Sequence, residues 1–202
     1  MKKCLIIGKP NAGKTLFMLN FAEYIGLTDV EIKFIQNKRN VDIKKLSIEE
    51  AKQLLSSNKP YKTTCLQSMT LEIPVLKGKK EIGIMDSSGL IDGIHQDVQV
   101  RRAMAQTLGA IEESDIILHM IDLSKINPDN IIGSLGEVDY QLSKYGFTKE
   151  GYVILGNKID LLERKTPLIY LQKEFQEHYI IPISALNKNG FSEVKSFVCR
   201  RL

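Results

Sequence analysis

The stretch Gly8-Lys9-Pro10-Asn11-Ala12-Gly13-Lys14-Thr15 comes directly after the apolar run Cys4-Leu5-Ile6-Ile7 and leads into a helical pattern over 13–25. A strand, a glycine-bearing turn and a helix in that order, spaced G-x-x-x-x-G-K-[ST], make a phosphate-binding loop. Gly8 and Gly13 let successive backbone N–H groups point into one concavity, and the helix behind them adds the positive end of its dipole. Lys14 is placed to reach the outer phosphates, and the Thr15 hydroxyl to ligate Mg2+. The residues expected around the nucleotide here are Gly8, Lys9, Pro10, Asn11, Ala12, Gly13, Lys14, Thr15 and Leu16.

Outward from this loop, short apolar runs alternate with longer helical patterns to the end of the chain, the pattern of a sheet with crossover helices. Strands are expected near 3–8, 69–77, 81–86, 115–122, 152–157 and 179–184, and helices near 13–25, 96–113, 128–145, 163–176 and 192–201. The predicted fold is α/β, a P-loop NTPase fold with a mostly parallel six-stranded sheet and helices on both faces. The expected organisation is one nucleotide domain over 1–202, enlarged at about 30–62. Thr63 stands 49 positions beyond Lys14, about twice what a helix and a loop need. Within that enlargement Val30–Gln36 reads as an extra strand. Ser47–Ser57 reads as a short helix, with Ser47 as N-cap and Glu50 at capping-box spacing.

Asn157-Lys158-Ile159-Asp160 follows a second apolar strand, Tyr152-Val153-Ile154-Leu155. Guanine presents two adjacent donors, N1–H and the N2 amine, which the Asp160 carboxylate can accept bidentately. Adenine lacks that pair and would leave Asp160 unpaired. Asn157 can brace the phosphate loop, and the Lys158 stem can lie along the base. Ser184-Ala185-Leu186, after the last strand, would offer backbone N–H groups to guanine O6. GTP and GDP are therefore the expected ligands.

Asp86-Ser87-Ser88-Gly89 follows the strand Glu81–Met85 and fits D-x-x-G. Asp86 is expected at Mg2+, and the Gly89 N–H at the γ-phosphate. A hydroxyl from Thr63-Thr64 could complete the metal shell, with Thr64 preferred and Thr63 left open. The catalytic set is then Lys14, Asn11, Thr64 and Gly89, and the metal set Thr15, Thr64 and Asp86.

Read in order, these motifs resemble the Era/Obg-like bacterial GTPases of the translation-factor class. The loop Gly8–Thr15 is similar to that of Era, while Asp86–Gly93 and Asp115–Ser124 look more like Obg. The resemblance implies a Mg2+-dependent GTPase whose loops switch partner binding, with the ribosome or structured RNA as partner. It also implies that Asn11 helps hold K+ beside the phosphates, although a turn residue after Pro10 is the plainer reading. Apart from the resemblance, Arg101-Arg102 could serve as a finger in trans across a G-domain homodimer, with solvated helix charge the preferred reading. Asp-Ser-Ser-Gly departs from the family's usual D-x-P-G loop. Leu90 cannot position water, so slow intrinsic hydrolysis is expected. The alternative is a nucleotide-gated adaptor or dimerising module with negligible hydrolysis.

Composition adds bounds. Charged residues make up 26% and apolar residues 43% of 202, ordinary for a globular chain. No apolar run is long enough for a membrane helix, so a cytoplasmic protein without a membrane partner is expected. Cys4, Cys65 and Cys199 have no metal spacing and read as reduced thiols. Net charge is +4, and the segment from Glu31 to Lys62 alone carries eight Lys/Arg against four Asp/Glu. That excess could meet RNA, though a solvated face explains it as simply. His95, Asp97, Arg101 and Arg102 read as loop and helix-surface residues, and His119 as a core histidine.

Overall fold

A computed structural model describes residues 1–37, 40–56, 65–75 and 78–202. The expected hydroxyls of Thr63 and Thr64 lie outside the described residues. Along the chain run β1 (Lys2–Gly8), α1 (Lys14–Tyr24), β2 (Asp29–Asn37), β3 (Asn40–Ser47), α2 (Ile48–Leu55), β4 (Leu66–Val75) and β5 (Gly78–Asp86). They continue with α3 (Val98–Glu113), β6 (Ile116–Asp122), α4 (Ile131–Gly146), β7 (Tyr152–Asn157), α5 (Thr166–Glu174), β8 (Ile180–Pro182) and α6 (Phe191–Cys199).

The strands form one sheet in the order β3-β2-β4-β5-β1-β6-β7-β8. From β5 to β8 the four neighbour pairings are parallel. The three on the other side are antiparallel. The sheet has eight strands, not six. One of the two additions, β2, coincides with the stretch read as an extra strand. The other, β3, is exposed at every position from Asn40 to Lys45, and its apolar alternation is short, Val41 and Ile43 between polar neighbours, breaking at Lys44-Lys45. Its partner β2 holds it by hairpin pairing, Asp29 opposite Ser47.

Alternate residues of β1 feed opposite faces: Cys4 and Ile6 enter one apolar cluster, Leu5 and Ile7 the other. The first cluster packs α1, α2 and α6, centred on Phe17, Phe21, Phe191 and Phe197. The second packs α3, α4 and α5 through Ile111, Leu135, Leu142, Leu171 and Phe175. A Phe17→Ala change in such a core costs about 3–5 kcal/mol. α2 begins with the capping box read from sequence: Ser47 Oγ accepts from the Glu50 N–H (3.3 Å), and Glu50 Oε2 accepts from the Ser47 N–H (2.8 Å).

Pairing of Ile6 with Asp86, Gly8 with Met120, and Asp122 with Asn157 brings the carboxyl ends of four strands to one edge of the sheet. The phosphate loop, Asp86–Gly89 and Asn157–Asp160 stand at three of these ends, where ligands of open α/β sheets bind, and Ser184–Leu186 follows the neighbouring β8. Among the described residues no helix is long and apolar enough to cross a membrane.

Candidate functional site

The loop between β1 and α1 needs its glycines. Gly8 (φ 141°) and Gly13 (φ 101°) lie where L-residues are strained. A Cβ on Gly8 would run into the Met120 carbonyl, and one on Gly13 into the Asn157 carboxamide. Asn11 takes a left-handed conformation at φ 61°. Lys14, the first residue of α1, is buried, and its Nζ donates to the Gly8 carbonyl (3.1 Å) and the Lys9 carbonyl (2.9 Å). Burial pushes the Lys14 ammonium down to about 8, with the Asp86 charge opposing that shift.

Asp86 ends β5 wholly buried. Thr15 Oγ1 donates to its Oδ2 at 2.5 Å, while Oδ1 accepts no hydrogen bond from the described residues. Burial pushes the Asp86 carboxyl up to about 6, against the pull of Lys14, the Thr15 hydroxyl and the Ser87 N–H. A hydroxyl and a carboxylate in contact, one oxygen unclaimed, are hard donors of the kind Mg2+ takes alongside waters and phosphates. Among the described residues no group of three His, Cys, Asp or Glu could hold a metal by itself.

The two serines of Asp-Ser-Ser-Gly turn inward. Ser87 Oγ donates to the Ile6 carbonyl (2.8 Å), and Ser88 Oγ pairs with Thr107 Oγ1 of α3 (3.1 Å). These bonds tie the start of the loop to the sheet and to α3 where the resembled family carries a proline. Beyond them Gly89 lies against Pro10, leaving no room for a Cβ, and the Leu90 N–H donates to the Gly8 carbonyl (3.1 Å). The Leu90 side chain is buried in the second apolar cluster, away from solvent.

A chain of neutral hydrogen bonds builds the other end of the site. Asn157 Nδ2 donates to the Ala12 carbonyl (2.7 Å), and Asn157 Oδ1 accepts from the Ala185 N–H (2.8 Å). Asn20 Nδ2, from the middle of α1, donates to the Ala185 carbonyl (2.7 Å). Lys158 sits at φ 68°, its Nζ 2.6 Å from Asp122 Oδ2. Asp160 is exposed on the turn Ile159–Leu161, Ser184 Oγ accepts from the Asn187 N–H (3.0 Å), and Leu186 is exposed. Asn20 and Asp122 escaped the sequence reading. Asn20 had one signal, a lone carboxamide in the apolar run Phe17–Ala22.

The residues read as ordinary are ordinary here. The Asp97 side chain caps α3 by accepting from the Gln99 N–H (2.7 Å), and Arg101 Nη1 donates to the carbonyls of His95 (2.8 Å) and Gln96 (2.7 Å). Arg102 is exposed, and burial raises the Cys65 thiol. His119 is fully buried between Tyr152 and Asp139.

The sequence profile of the 50S ribosome-binding GTPases matches residues 43–158, more than half of the chain. This chain belongs to that family. GTPase Obg of Desulforapulum autotrophicum is 26% identical over 142 residues, covering 69% of this chain and 40% of that protein. GTPase Obg of Phytoplasma mali is 33% identical over 113 residues, 55% of this chain and 26% of that protein. This member of the 50S ribosome-binding GTPase family thus spans less than half the length of these relatives. An Era variant of Aquifex aeolicus bound to GDP·AlF4− superimposes with a TM-score of 0.67 at 22% identity, over 100% of this chain and 57% of that one. The G domain of the FeoB iron transporter of T. maritima gives 0.56 at 17% identity, over 100% and 98%. At such identities the likeness shows the fold, an Era/Obg-like G domain.

Proposed function

We propose that this chain binds GTP and GDP at the edge formed by Gly8–Leu16, Asp86–Gly89, Asn157–Asp160 and Ser184–Leu186, and hydrolyses GTP to GDP. The observation that carries the reading is the buried Lys14–Thr15–Asp86 group, with one carboxylate oxygen unclaimed among the described residues. A lysine and a carboxylate held inside a protein are costly unless a ligand uses them. Lys14, which caps two loop carbonyls here, would turn to the β- and γ-phosphates. Thr15 and Asp86 would hold Mg2+, which when bound neutralises phosphate charge, and Thr64 is assigned to the same shell. Asn157 holds the phosphate loop against the 185 loop, so Asp160 and the Ala185 backbone would meet the guanine edge together. Lys158 is tied to Asp122 and would present its stem to the base.

Hydrolysis by the isolated chain should be slow. With Leu90 buried, the position after Gly89 supplies no group to orient water, and stabilisation falls to Lys14 and to loop N–H groups aimed at developing charge. Asn11, beside the phosphates, is assigned to K+, which would add positive charge there. Faster single-turnover hydrolysis in KCl than in NaCl supports that assignment, and equal rates remove it. The buried Leu90 also favours a second reading, a nucleotide-gated adaptor that turns over only with a partner.

For a partner we infer the ribosome or structured RNA. The family's description points to the 50S subunit, and one structural neighbour is Era in complex with MgGDPNP and a 16S rRNA fragment. The lysines of the β2–β3 hairpin would supply phosphate contacts. The test is co-sedimentation with ribosomal subunits of protein loaded with GDP or with a non-hydrolysable GTP analogue. Binding only in the analogue state supports the switch. No binding in either state leaves a nucleotide site without a ribosomal role.

A further inference from the structure

Helix α4 is broken: Gly136 has φ 73° and ψ 174°, so its residues form two helical pieces end to end. The second piece begins with backbone N–H groups that lack an intrahelical partner. Asp92 meets one of them from another part of the chain, Oδ1 accepting from the Val138 N–H at 2.7 Å. Asp92 stands three residues after Gly89, so the cap on this helix belongs to the loop expected to sense the γ-phosphate.

The same carboxylate faces the phosphate loop. Lys9 Nζ is 3.9 Å from Asp92 Oδ2 and 3.3 Å from Asp139 Oδ2, and it donates to the Leu135 carbonyl at the end of the first helical piece. Asp139 is 3% exposed and is held from the core side by His119 Nε2 at 3.0 Å. A Cβ on Gly136 would collide with the ends of both Asp92 and Lys9, so the glycine leaves the room in which the three segments meet. Between Gly8 and Asp92 the two loops touch three times: Leu90 N–H on the Gly8 carbonyl, Gly89 on Pro10, and Asp92 beside Lys9.

We propose that Asp92 is a positioning residue for GTP hydrolysis: anchored on Val138 and Lys9, it sets where Gly89 stands relative to the phosphate loop. A charge-assisted bond to a helix N-terminus is stronger than a neutral one and fixes direction as well as distance. Gly89 is three residues away along a short loop, so a displaced Asp92 displaces the Gly89 N–H. GDP does not reach that N–H and should not register the change. This rests on the nucleotide reading above.

The test compares wild type with Asp92→Ala and Asp92→Asn, using fluorescent GDP, a fluorescent non-hydrolysable GTP analogue and single-turnover hydrolysis at saturating GTP. Asp92→Ala should keep GDP affinity within about twofold and lose roughly 10- to 100-fold in hydrolysis rate, the scale of a misplaced contact. Asp92→Asn keeps an oxygen for Val138 but not the charge, and should fall between. If Asp92→Ala fails to fold, the graded loss in Asp92→Asn carries the test. A wild-type rate in both variants, or equal losses for GDP and GTP, overturns the proposal and leaves Asp92 a plain helix cap. A wild-type protein that binds neither nucleotide removes the underlying reading, and the inference with it.

Discussion

At the base end of the site, Ala12, Asn157, Ala185 and Asn20 are joined by three hydrogen bonds of 2.7–2.8 Å between neutral groups. At the phosphate end, Lys14 and Asp86 are buried charges, Asp86 Oδ1 has no partner among the described residues, and both groups are shifted toward their neutral forms. The first arrangement is made of neutral groups whose three bonds stand without a ligand, with Asn20 Oδ1 its one side-chain atom lacking a partner among the described residues. The second keeps its polar groups under-used until something charged arrives. One end is thus a rigid template and the other a charged socket, and they meet where the Gly13 backbone lies against the Asn157 carboxamide.

The sharpest way to break this contrast is at the template. Asp160→Asn should weaken GTP binding about 100-fold, because an amide cannot accept both guanine donors. The same variant should gain xanthosine triphosphate, whose C2 carbonyl accepts from the new amide. Competition binding checks both, and an unchanged GTP affinity would place guanine elsewhere.

A smaller effect of opposite sign is expected at the socket. The folded Asp86 carboxyl, at about 6, lies above its ordinary 3.8. Between those values the folded state keeps a proton that the unfolded chain has released, so this group's contribution to stability falls as pH rises through the window. Asp86→Asn does not titrate. Without nucleotide and in EDTA it should therefore be more stable than wild type by about 1–3 kcal/mol at pH 7.5. The advantage should shrink toward pH 4 in urea unfolding curves. A destabilised variant at pH 7.5 would mean that the Lys14–Asp86 attraction outweighs the burial.

The smallest change is predicted at Asn20. Asn20→Ala removes one buried bond to the 185 loop, and Asn20 Oδ1, which has no partner among the described residues, goes with it. GDP affinity should drop about fivefold, roughly 1 kcal/mol, with little change in how GTP is preferred to GDP. A loss confined to GTP would contradict the division between template and socket.

The sequence alone names Ala12, Asn157 and Ala185 at one end and Lys14, Thr15 and Asp86 at the other, because they stand in short, spaced motifs beside apolar strands; Asn20 lies outside any motif. Sequence reading missed what depends on distant residues meeting. Lys9, Asp92 and Asp139 have no common spacing, and only the fold brings them together. The break in α4 did have a local sign, Gly136 inside a helical pattern, but the surrounding apolar periodicity argued for one continuous helix from 128 to 145. β3 was missed because its alternation is brief, Val41 and Ile43 between polar neighbours, and neither apolar residue is buried.

Val138 offers an unplanned convenience. Its amide proton is held by a side chain of the loop beyond Gly89, not by its own helix. Deuterium uptake at that single amide, followed by magnetic resonance of the protein with unmodified nucleotides, therefore gives an intrinsic gauge of where the loop stands. No dye or engineered probe is needed to follow the loop through a turnover cycle.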